Sequence, residues 1–253
     1  MIGGLKYFIG NWKMFGIPSS FQIIDKINTF YNRDRNNNKN YRIIIAPPFT
    51  LLQYFSQKTK NKKVNLCAQN CYSKDYFGAH TGSVSPFMIR KIGIKYIILG
   101  HSENRASGEN DTILKEKIIV ASKNNLNIIF CIGEDANQKR KKLTFKVLKK
   151  QITNVLKKNH NFKKIIVAYE PIWSIGTGKI PKPNELEKTV LLIKKFLKSH
   201  FRSRYNFKVL YGGSVDNKSI NSFKLIKQLD GFLIGGASKS SKKFIDIIQN
   251  FYK

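Results

Sequence analysis

The chain has 253 residues, of which 42% are hydrophobic, so it is long enough to bury one large core. No apolar run approaches the roughly 18–20 residues that span a bilayer, and the N-terminus "MIGGLKYFIGNWKMF" lacks the pattern of a signal peptide. We therefore expect no membrane partner. The three cysteines (Cys67, Cys71 and Cys131) are an odd number without the paired spacing of a zinc site, which favours a reducing cytosol.

Charge is the unusual feature of the composition. Lys and Arg number 46 against 15 Asp and Glu, which gives a formal net charge of +31. Such a charge could attract nucleic acid or anionic substrates. The lysines, however, are spread along the whole chain instead of being clustered between aromatic residues in a binding motif. We interpret the charge as drift in an AT-rich coding sequence and expect no specific nucleic-acid partner.

Short runs rich in β-branched and aromatic residues recur along the chain and predict eight strands. In chain order they are Tyr7–Gly10, Arg42–Ala46, Val64–Ala68, Tyr96–Leu99, Asn127–Cys131, Ile165–Ala168, Lys208–Leu210 and Phe232–Ile234.

Amphipathic stretches between these runs predict eight helices. They cover residues 19–31, 49–60, 85–93, 111–125, 139–158, 184–201, 217–228 and 241–252. Apolar strands that alternate with helices indicate a parallel sheet covered by helices, and eight such units in this length favour a closed (β/α)₈ barrel of the α/β class. A doubly wound sheet is the alternative. No linker divides the chain, so we predict a single domain over residues 1–253, with "RNNNKN" at residues 35–40 as a short loop.

Polar residues follow several of the predicted strands. Asn11 and Lys13 follow the first strand, His101 and Glu103 follow the fourth, and Glu170 follows the sixth. Glycine pairs in "YGGSV" and "IGGAS" follow the seventh and eighth. Because barrel active sites form at the C-terminal ends of the strands, these residues predict an active site on one rim.

The segments "GNWKM", "GHSE", "AYEPIWSIGTGK", "YGGSV" and "IGGAS" resemble, in order and spacing, the triosephosphate isomerase family over essentially the whole chain. The resemblance implies a TIM barrel and a homodimer. It also implies a cytoplasmic enzyme of glycolysis and gluconeogenesis with no cofactor and no metal. The expected reaction is interconversion of dihydroxyacetone phosphate and D-glyceraldehyde 3-phosphate through an enediol(ate).

The resemblance also implies roles for residues at the rim. Glu170 matches the base, and His101 matches a neutral imidazole that polarises the carbonyl and is held by a helix N-terminus after it. Lys13 would supply positive charge to the phosphate and the enediolate, and Asn11 a hydrogen bond. Two supporting residues are expected: Glu103 as a buried carboxylate paired with Lys13, and Cys131 as a packing residue near Glu170.

Phosphate is expected to meet backbone amides. Gly235 and Gly236 precede a helix that can receive a dianion, Ser214 follows the seventh strand, and Gly176 comes from above. Gly176 belongs to a lid, Pro171–Lys179, that would close over the site. After the lid, "KIPKP" departs from the small residues usual in the family.

The loop "YSKDYFGAHTGSVS" resembles the long loop that inserts into the other subunit, where Thr81 would contact Asn11 of the partner subunit. The family usually has glutamate where this chain has Ser83 and arginine where it has Asn104. Two further hypotheses stay open: another barrel enzyme acting on phosphorylated sugars, and a basic nucleic-acid-binding protein with a degraded site.

Overall fold

The computed structural model describes residues 4–34 and 41–253, and its centre is a closed barrel of eight parallel strands in the order β1 to β8. The strands are β1 Lys6–Asn11, β2 Tyr41–Ala46, β3 Asn65–Ala68, β4 Tyr96–Leu99, β5 Asn127–Ile132, β6 Ile165–Tyr169, β7 Lys208–Tyr211 and β8 Gly231–Ile234. Every predicted strand is confirmed to within one residue at each end. The predicted loop at residues 35–40 lies outside the described residues.

The strands are apolar on both faces because each face packs into a different core. Alternate residues such as Ile9, Ile98 and Leu210 form a cluster inside the barrel. Their neighbours, such as Phe8 and Val209, pack outward against the helices. Since successive side chains of a strand point to opposite faces, a strand buried on both faces shows no polar alternation.

The helices lie outside the barrel and connect its strands. In chain order they are α1 Phe21–Arg33, α2 Phe49–Thr59, α3 Pro86–Lys91, α4 Ser102–Ala106, α5 Asp111–Lys123, α6 Ala136–Arg140, α7 Thr144–Val155, α8 Pro183–His200, α9 Ile220–Phe223 and α10 Ser241–Tyr252. Within the described ranges, no helix is long and apolar enough to cross a membrane.

The prediction of one continuous helix over residues 139–158 is wrong, because the chain forms α6 and α7 there. Asp135 caps α6 by accepting from the Gln138 amide at 2.8 Å, and the Gln138 side chain accepts from the Asp135 amide at 3.0 Å. Lys142 adopts a left-handed φ of 57° and ends the helical run. The capping box was readable from the sequence, whereas the left-handed lysine was not.

The predicted helix over residues 217–228 is also wrong in length, because only Ile220–Phe223 is α-helical. The buried apolar residues of this segment are Ile220, Phe223, Ile226 and Leu229, which recur every three positions. Ile226 and Leu229 donate to carbonyls three residues back, at 3.0 and 3.1 Å. A spacing of three suits tight 3₁₀-type turns better than an α-helix.

Candidate active site

A pocket of about 420 Å³ opens at the C-terminal end of the barrel. The predicted residues that line it come from separate strand ends and the lid: Asn11, Lys13, His101, Glu170, Gly176, Ser214, Gly235 and Gly236. The closed barrel brings these residues together although they are spread over most of the sequence. The prediction that they share one rim is therefore met by the geometry.

Glu170 lies directly after β6 and is 3% exposed. Its Oε1 atom is 3.6 Å from Nε2 of His101. Burial raises the pKa of the Glu170 carboxyl above its usual value, although nearby His101, a hydrogen bond from Cys131 and the charge of Lys13 partly oppose that rise. A buried carboxylate with a raised pKa is suited to accept a proton from carbon.

Two glycines give Glu170 its space. A Cβ atom at Gly212 would lie 2.6 Å from Cγ of Glu170, and one at Gly133 would lie 1.8 Å from its carbonyl oxygen. Any side chain at either position would displace the carboxylate or its backbone. We did not predict a role for either glycine, although Gly212 is the first glycine of "YGGSV".

His101 is held by the helix start that follows it. It is the N-cap of α4, and its Nδ1 atom accepts a hydrogen bond from the backbone amide of Glu103 at 3.2 Å. Because a backbone amide can only donate, the neutral ring carries its proton on Nε2. This nitrogen is the one that points towards Glu170, so it can donate to an oxygen of a molecule in the pocket.

Lys13 follows β1 with a left-handed φ of 56°, an unusual conformation for a residue with a side chain. The Oδ1 atom of Asn11 accepts from the Lys13 amide at 3.1 Å, which leaves the NH₂ group of this buried asparagine as a donor. The Lys13 ammonium lies 2.6 Å from Oε1 of Glu103. The local turn thus places a positive charge at the mouth of the pocket.

The pairing expected for Glu103 is present, but its expected burial is wrong for the single chain. Its side chain is 60% exposed. Partial burial alone would raise its pKa, yet the hydrogen bond and charge of Lys13 dominate and lower it. Glu103 faces a second pocket of about 370 Å³ beside the first, where Lys13, Met14 and Asn104 also lie.

Cys131 lies behind Glu170 on β5 and is 1% exposed. Burial is the main cause that raises the pKa of its thiol, and the adjacent Glu170 carboxylate raises it further. A thiol held in its neutral form packs and donates but is a poor nucleophile, so its environment agrees with a packing role.

The glycines after β8 open a 3₁₀ turn, Gly236–Lys239, before α10 begins at Ser241. The sequence predicted one helix start at this point, so the intervening turn is a correction. Trp12 donates from Nε1 to the carbonyl of Ser238 at 3.0 Å and fixes this turn against the end of β1. The turn, which ends with Lys239, lines the pocket together with Lys243, and its residues can present backbone amides to an anion.

The segment predicted as a lid lies against the loop after β7. Its tip has left-handed glycines, Gly176 at φ 69° and Gly178 at φ 75°, a conformation that disfavours other residues. The Gly178 amide donates to Oγ of Ser214 at 3.1 Å, and this hydroxyl donates to the carbonyl of Ser174 at 2.6 Å. The lid is therefore docked over the Ser214 side of the pocket.

A buried carboxylate anchors the start of the lid. Trp173 donates from Nε1 to Oε1 of Glu134 at 3.0 Å, and the Tyr169 hydroxyl donates to the same oxygen at 3.1 Å. The ammonium of Lys139 lies 3.6 Å from the centre of a Trp173 ring. We did not predict these contacts, because they join residues from the loop after β5, from α6, from β6 and from the lid.

Thr81 lies on an exposed loop between β3 and α3, outside both pockets. Nearby, Tyr76 stacks on Phe87 at 4.5 Å between ring centres, and Phe77 packs edge-on against it at 5.6 Å. Tyr76 and Phe77 remain 60% and 76% exposed. This apolar surface lies in the loop that the sequence predicted to contact another subunit.

Comparison with known proteins shows similarity to one protein family over nearly the whole chain. The family profile described as triosephosphate isomerase matches residues 6–251. Triosephosphate isomerase from Mesomycoplasma hyopneumoniae (strain 232) is 42% identical over 248 residues, with 97% of this chain and 99% of the relative covered. The Saccharomyces cerevisiae triosephosphate isomerase is 35% identical, with 96% and 98% covered.

A solved structure shows the same architecture. The crystal structure of triosephosphate isomerase from Bartonella henselae superposes with a TM-score of 0.88 at 29% sequence identity. The superposition covers 98% of this chain and 99% of that one.

Proposed function

Because the chain belongs to the triosephosphate isomerase family and isomerises triose phosphates, we propose that Glu170 is the base of this reaction and His101 its electrophile. The observation that carries the proposal is the 3.6 Å approach of Glu170 Oε1 to His101 Nε2 inside one pocket. Glu170 removes a proton from the carbon next to the carbonyl and returns it to the neighbouring carbon. Nε2 of His101 donates to the carbonyl oxygen, where negative charge develops, and moves protons between the two oxygens.

Lys13 and Asn11 complete the polar side of the pocket. The Lys13 ammonium stabilises the developing enediolate and the phosphate by its charge, and the NH₂ group of Asn11 donates to a substrate oxygen. Glu103 acts through Lys13: their 2.6 Å contact holds the ammonium at the pocket mouth. Cys131 acts through Glu170, which it contacts from behind.

The phosphate is proposed to bind at Ser214, Gly235 and Gly236, with Gly176 above it. Support comes from their common pocket and from the 3₁₀ turn that begins at Gly236. The lid Pro171–Lys179 follows Glu170 directly in sequence, so the same segment carries the base and covers the phosphate. Excluding water in this way protects the enediolate intermediate.

We also propose a homodimer. Met14 is 97% exposed and lies beside Lys13, and Tyr76 and Phe77 expose aromatic rings on the Thr81 loop. Apolar side chains exposed so extensively favour a protein contact. In this proposal Thr81 reaches Asn11 of the partner subunit.

A cytoplasmic location is proposed from the glycolytic reaction of the family and from the chemistry of the cysteines. Cys67, Cys71 and Cys131 are unpaired and buried, which agrees with a reducing compartment.

A coupled isomerase assay tests the roles of the site residues. Glu170→Gln keeps the shape of the side chain but removes the base, so turnover should fall by at least about 10³-fold. The matched control is Glu116→Gln, which changes an exposed glutamate on α5 and should retain wild-type turnover. Turnover of Glu170→Gln within about tenfold of wild type would remove Glu170 from its role.

A further inference from the structure

Two lysines line the active-site pocket without a role in the reaction described above. Lys239 ends the 3₁₀ turn after β8 and is half-buried, and Lys243 lies on α10 and is exposed. Both line the 420 Å³ pocket together with the glycines of the proposed phosphate site. In the part of the chain that the structure describes, neither lysine has a carboxylate within ion-pair distance. Their charges are therefore available to a ligand in the pocket.

Lys239 lies on the side of the pocket where Lys13 enters. Its ammonium is 5.2 Å from the centre of the Phe15 ring, and Phe15 is two residues after Lys13. Burial alone would raise the pKa of the Glu103 carboxyl, but Lys13, then His101, then Lys239 lower it. The charges of Lys13 and Lys239 thus act on the same carboxylate at the pocket mouth.

Lys243 occupies a position that a helix alone disfavours. Ser240 caps α10, and its Oγ atom accepts from the Lys243 amide at 3.4 Å, so Lys243 belongs to the first turn. This turn contains no acidic residue. Partial positive charge collects at a helix N-terminus, where a cation is repelled and an anion is attracted. An anion bound in the pocket would offset the repulsion that Lys243 experiences.

The acidic groups that line the pocket are already engaged. Oδ1 of Asp216 accepts from the amides of Lys218 and Ser219 at 2.8 and 2.7 Å. Glu170 is the proposed base and faces His101 at 3.6 Å. The positive charge at the turn after β8 is therefore not cancelled by the lining of the pocket.

The pocket is also larger than the substrate requires. Pockets of about 300–1,000 Å³ hold drug-sized ligands, whereas a triose phosphate has only about ten non-hydrogen atoms. A volume of about 420 Å³ leaves room for a second group beside the bound phosphate.

We propose that Lys239 and Lys243 form a second anion subsite, so that the pocket also binds small molecules that carry two phosphate groups. The proposal rests on the phosphate site given above. One phosphate meets the backbone amides at Ser214, Gly235 and Gly236, and the other contacts the two ammonium groups, which bind it as point charges. Because such a compound occupies the substrate's own phosphate site, it inhibits the isomerase by competition.

The test compares inhibition of the isomerase by inorganic pyrophosphate and by inorganic phosphate at constant ionic strength. Pyrophosphate should compete with triose phosphate and have an inhibition constant at least about tenfold below that of phosphate, because only pyrophosphate reaches both subsites. Lys239→Gln and Lys243→Gln should each reduce the ratio of the two constants by about three- to tenfold. The ratio is the readout because a general loss of anion binding changes both constants together.

Lys242→Gln is the matched control, because Lys242 is an exposed lysine of the same helical turn that lies outside the pocket lining. It removes the same charge from a chain of +31 and should keep the wild-type ratio. A wild-type ratio in both Lys239→Gln and Lys243→Gln, an equal fall in all three variants, or pyrophosphate that does not compete with substrate would overturn the subsite.

The same measurements separate this proposal from the proposed function. Phosphate that fails to compete with substrate would overturn the phosphate site, and the effect of Lys239→Gln on pyrophosphate, set against that of Lys242→Gln, would still decide the subsite. Wild-type turnover of Glu170→Gln would overturn the base and leave the ratio of inhibition constants unaffected.

Discussion

Nε2 of His101 and Oε1 of Glu170 lie 3.6 Å apart, although the two residues follow different strands of the barrel. Both side chains are almost completely withdrawn from water, at 6% and 4% exposure. A proton donor for oxygen and a proton acceptor for carbon thus share one desolvated space. This is the arrangement that an enediolate reaction requires, and it imposes a cost on the folded protein.

That cost predicts a gain in stability from removing the base. The folded-state pKa of Glu170 is raised above its usual 4.5 because the carboxyl is buried. Between the unfolded and folded pKa values the native state binds more protons, so the free energy of unfolding falls as pH rises through this window. Glu170→Gln should therefore raise Tm at pH 7 and have a much smaller effect at pH 4, where both states are mostly protonated. For a chain of this size about 1 kcal/mol corresponds to roughly 2–4 °C.

Glu109→Gln is the control for that measurement. Glu109 forms a buried ion pair with Lys117 at 3.0 Å, so its removal strands a charge and should lower Tm at pH 7. If Glu170→Gln lowered Tm at pH 7 as Glu109→Gln does, the carboxylate of Glu170 would be stabilising, contrary to our interpretation.

The raised pKa of Glu170 also predicts the pH dependence of catalysis. The base must be ionised, so kcat/KM should fall, as pH is lowered, at a pH above the usual value for glutamate. The thiol of Cys131 donates to Glu170 and lowers its pKa. Cys131→Ala should therefore move the acid limb of the kcat/KM profile upward, and Cys131→Ser, which supplies a stronger donor, should move it downward. Shifts of the same sign in both variants would contradict this assignment.

The proposed dimer predicts coupling between Ser83 and Asn104. Asn104 lies at the 370 Å³ pocket and Ser83 on the Thr81 loop, so the two positions would meet across the interface. Ser83→Glu or Asn104→Arg alone should weaken the dimer by stranding a charge, and both together should restore it. Sedimentation of the four species should show a coupling of at least about 1 kcal/mol. A coupling of zero would mean that these positions do not face each other.

The same sedimentation experiment tests the effect of net charge on assembly. Two chains of +31 repel each other, and salt screens this repulsion over a Debye length of about 8 Å at physiological ionic strength. The dimer should therefore tighten as salt rises from about 10 to 150 mM. Weakening over that range would indicate that attractive ion pairs dominate the interface.

The charge further predicts only weak, non-selective binding to nucleic acid. If the positive charge reflects compositional drift and the lysines form no binding motif, duplex DNA should bind with Kd above about 0.1 mM at 150 mM salt, as measured by fluorescence anisotropy. A scrambled duplex of equal length provides the control and should bind equally well. Sub-micromolar binding that distinguishes the two duplexes would support a nucleic-acid partner.

The sequence alone located the strands and most of the proposed site. Strand positions were readable because a run of residues such as Ile165–Tyr169 is apolar throughout and ends abruptly at a charged residue. Glu170, His101 and Lys13 were readable because each lies within two residues of the end of such a strand, and parallel strands end on the same rim. Both patterns are local, so they can be read from the sequence without knowing any tertiary contact.

The tertiary structure alone decided which way these side chains turn and what holds them. Gly212 makes room for Glu170, Ser174 meets Tyr211, and Glu103, whose pairing with Lys13 the family resemblance had implied, remains exposed. Each of these relationships joins residues that are 37 to 90 positions apart, as for Ser174 with Tyr211 and Lys13 with Glu103. Local periodicity records how a segment folds, but it carries no information about which distant atom fills the space beside it.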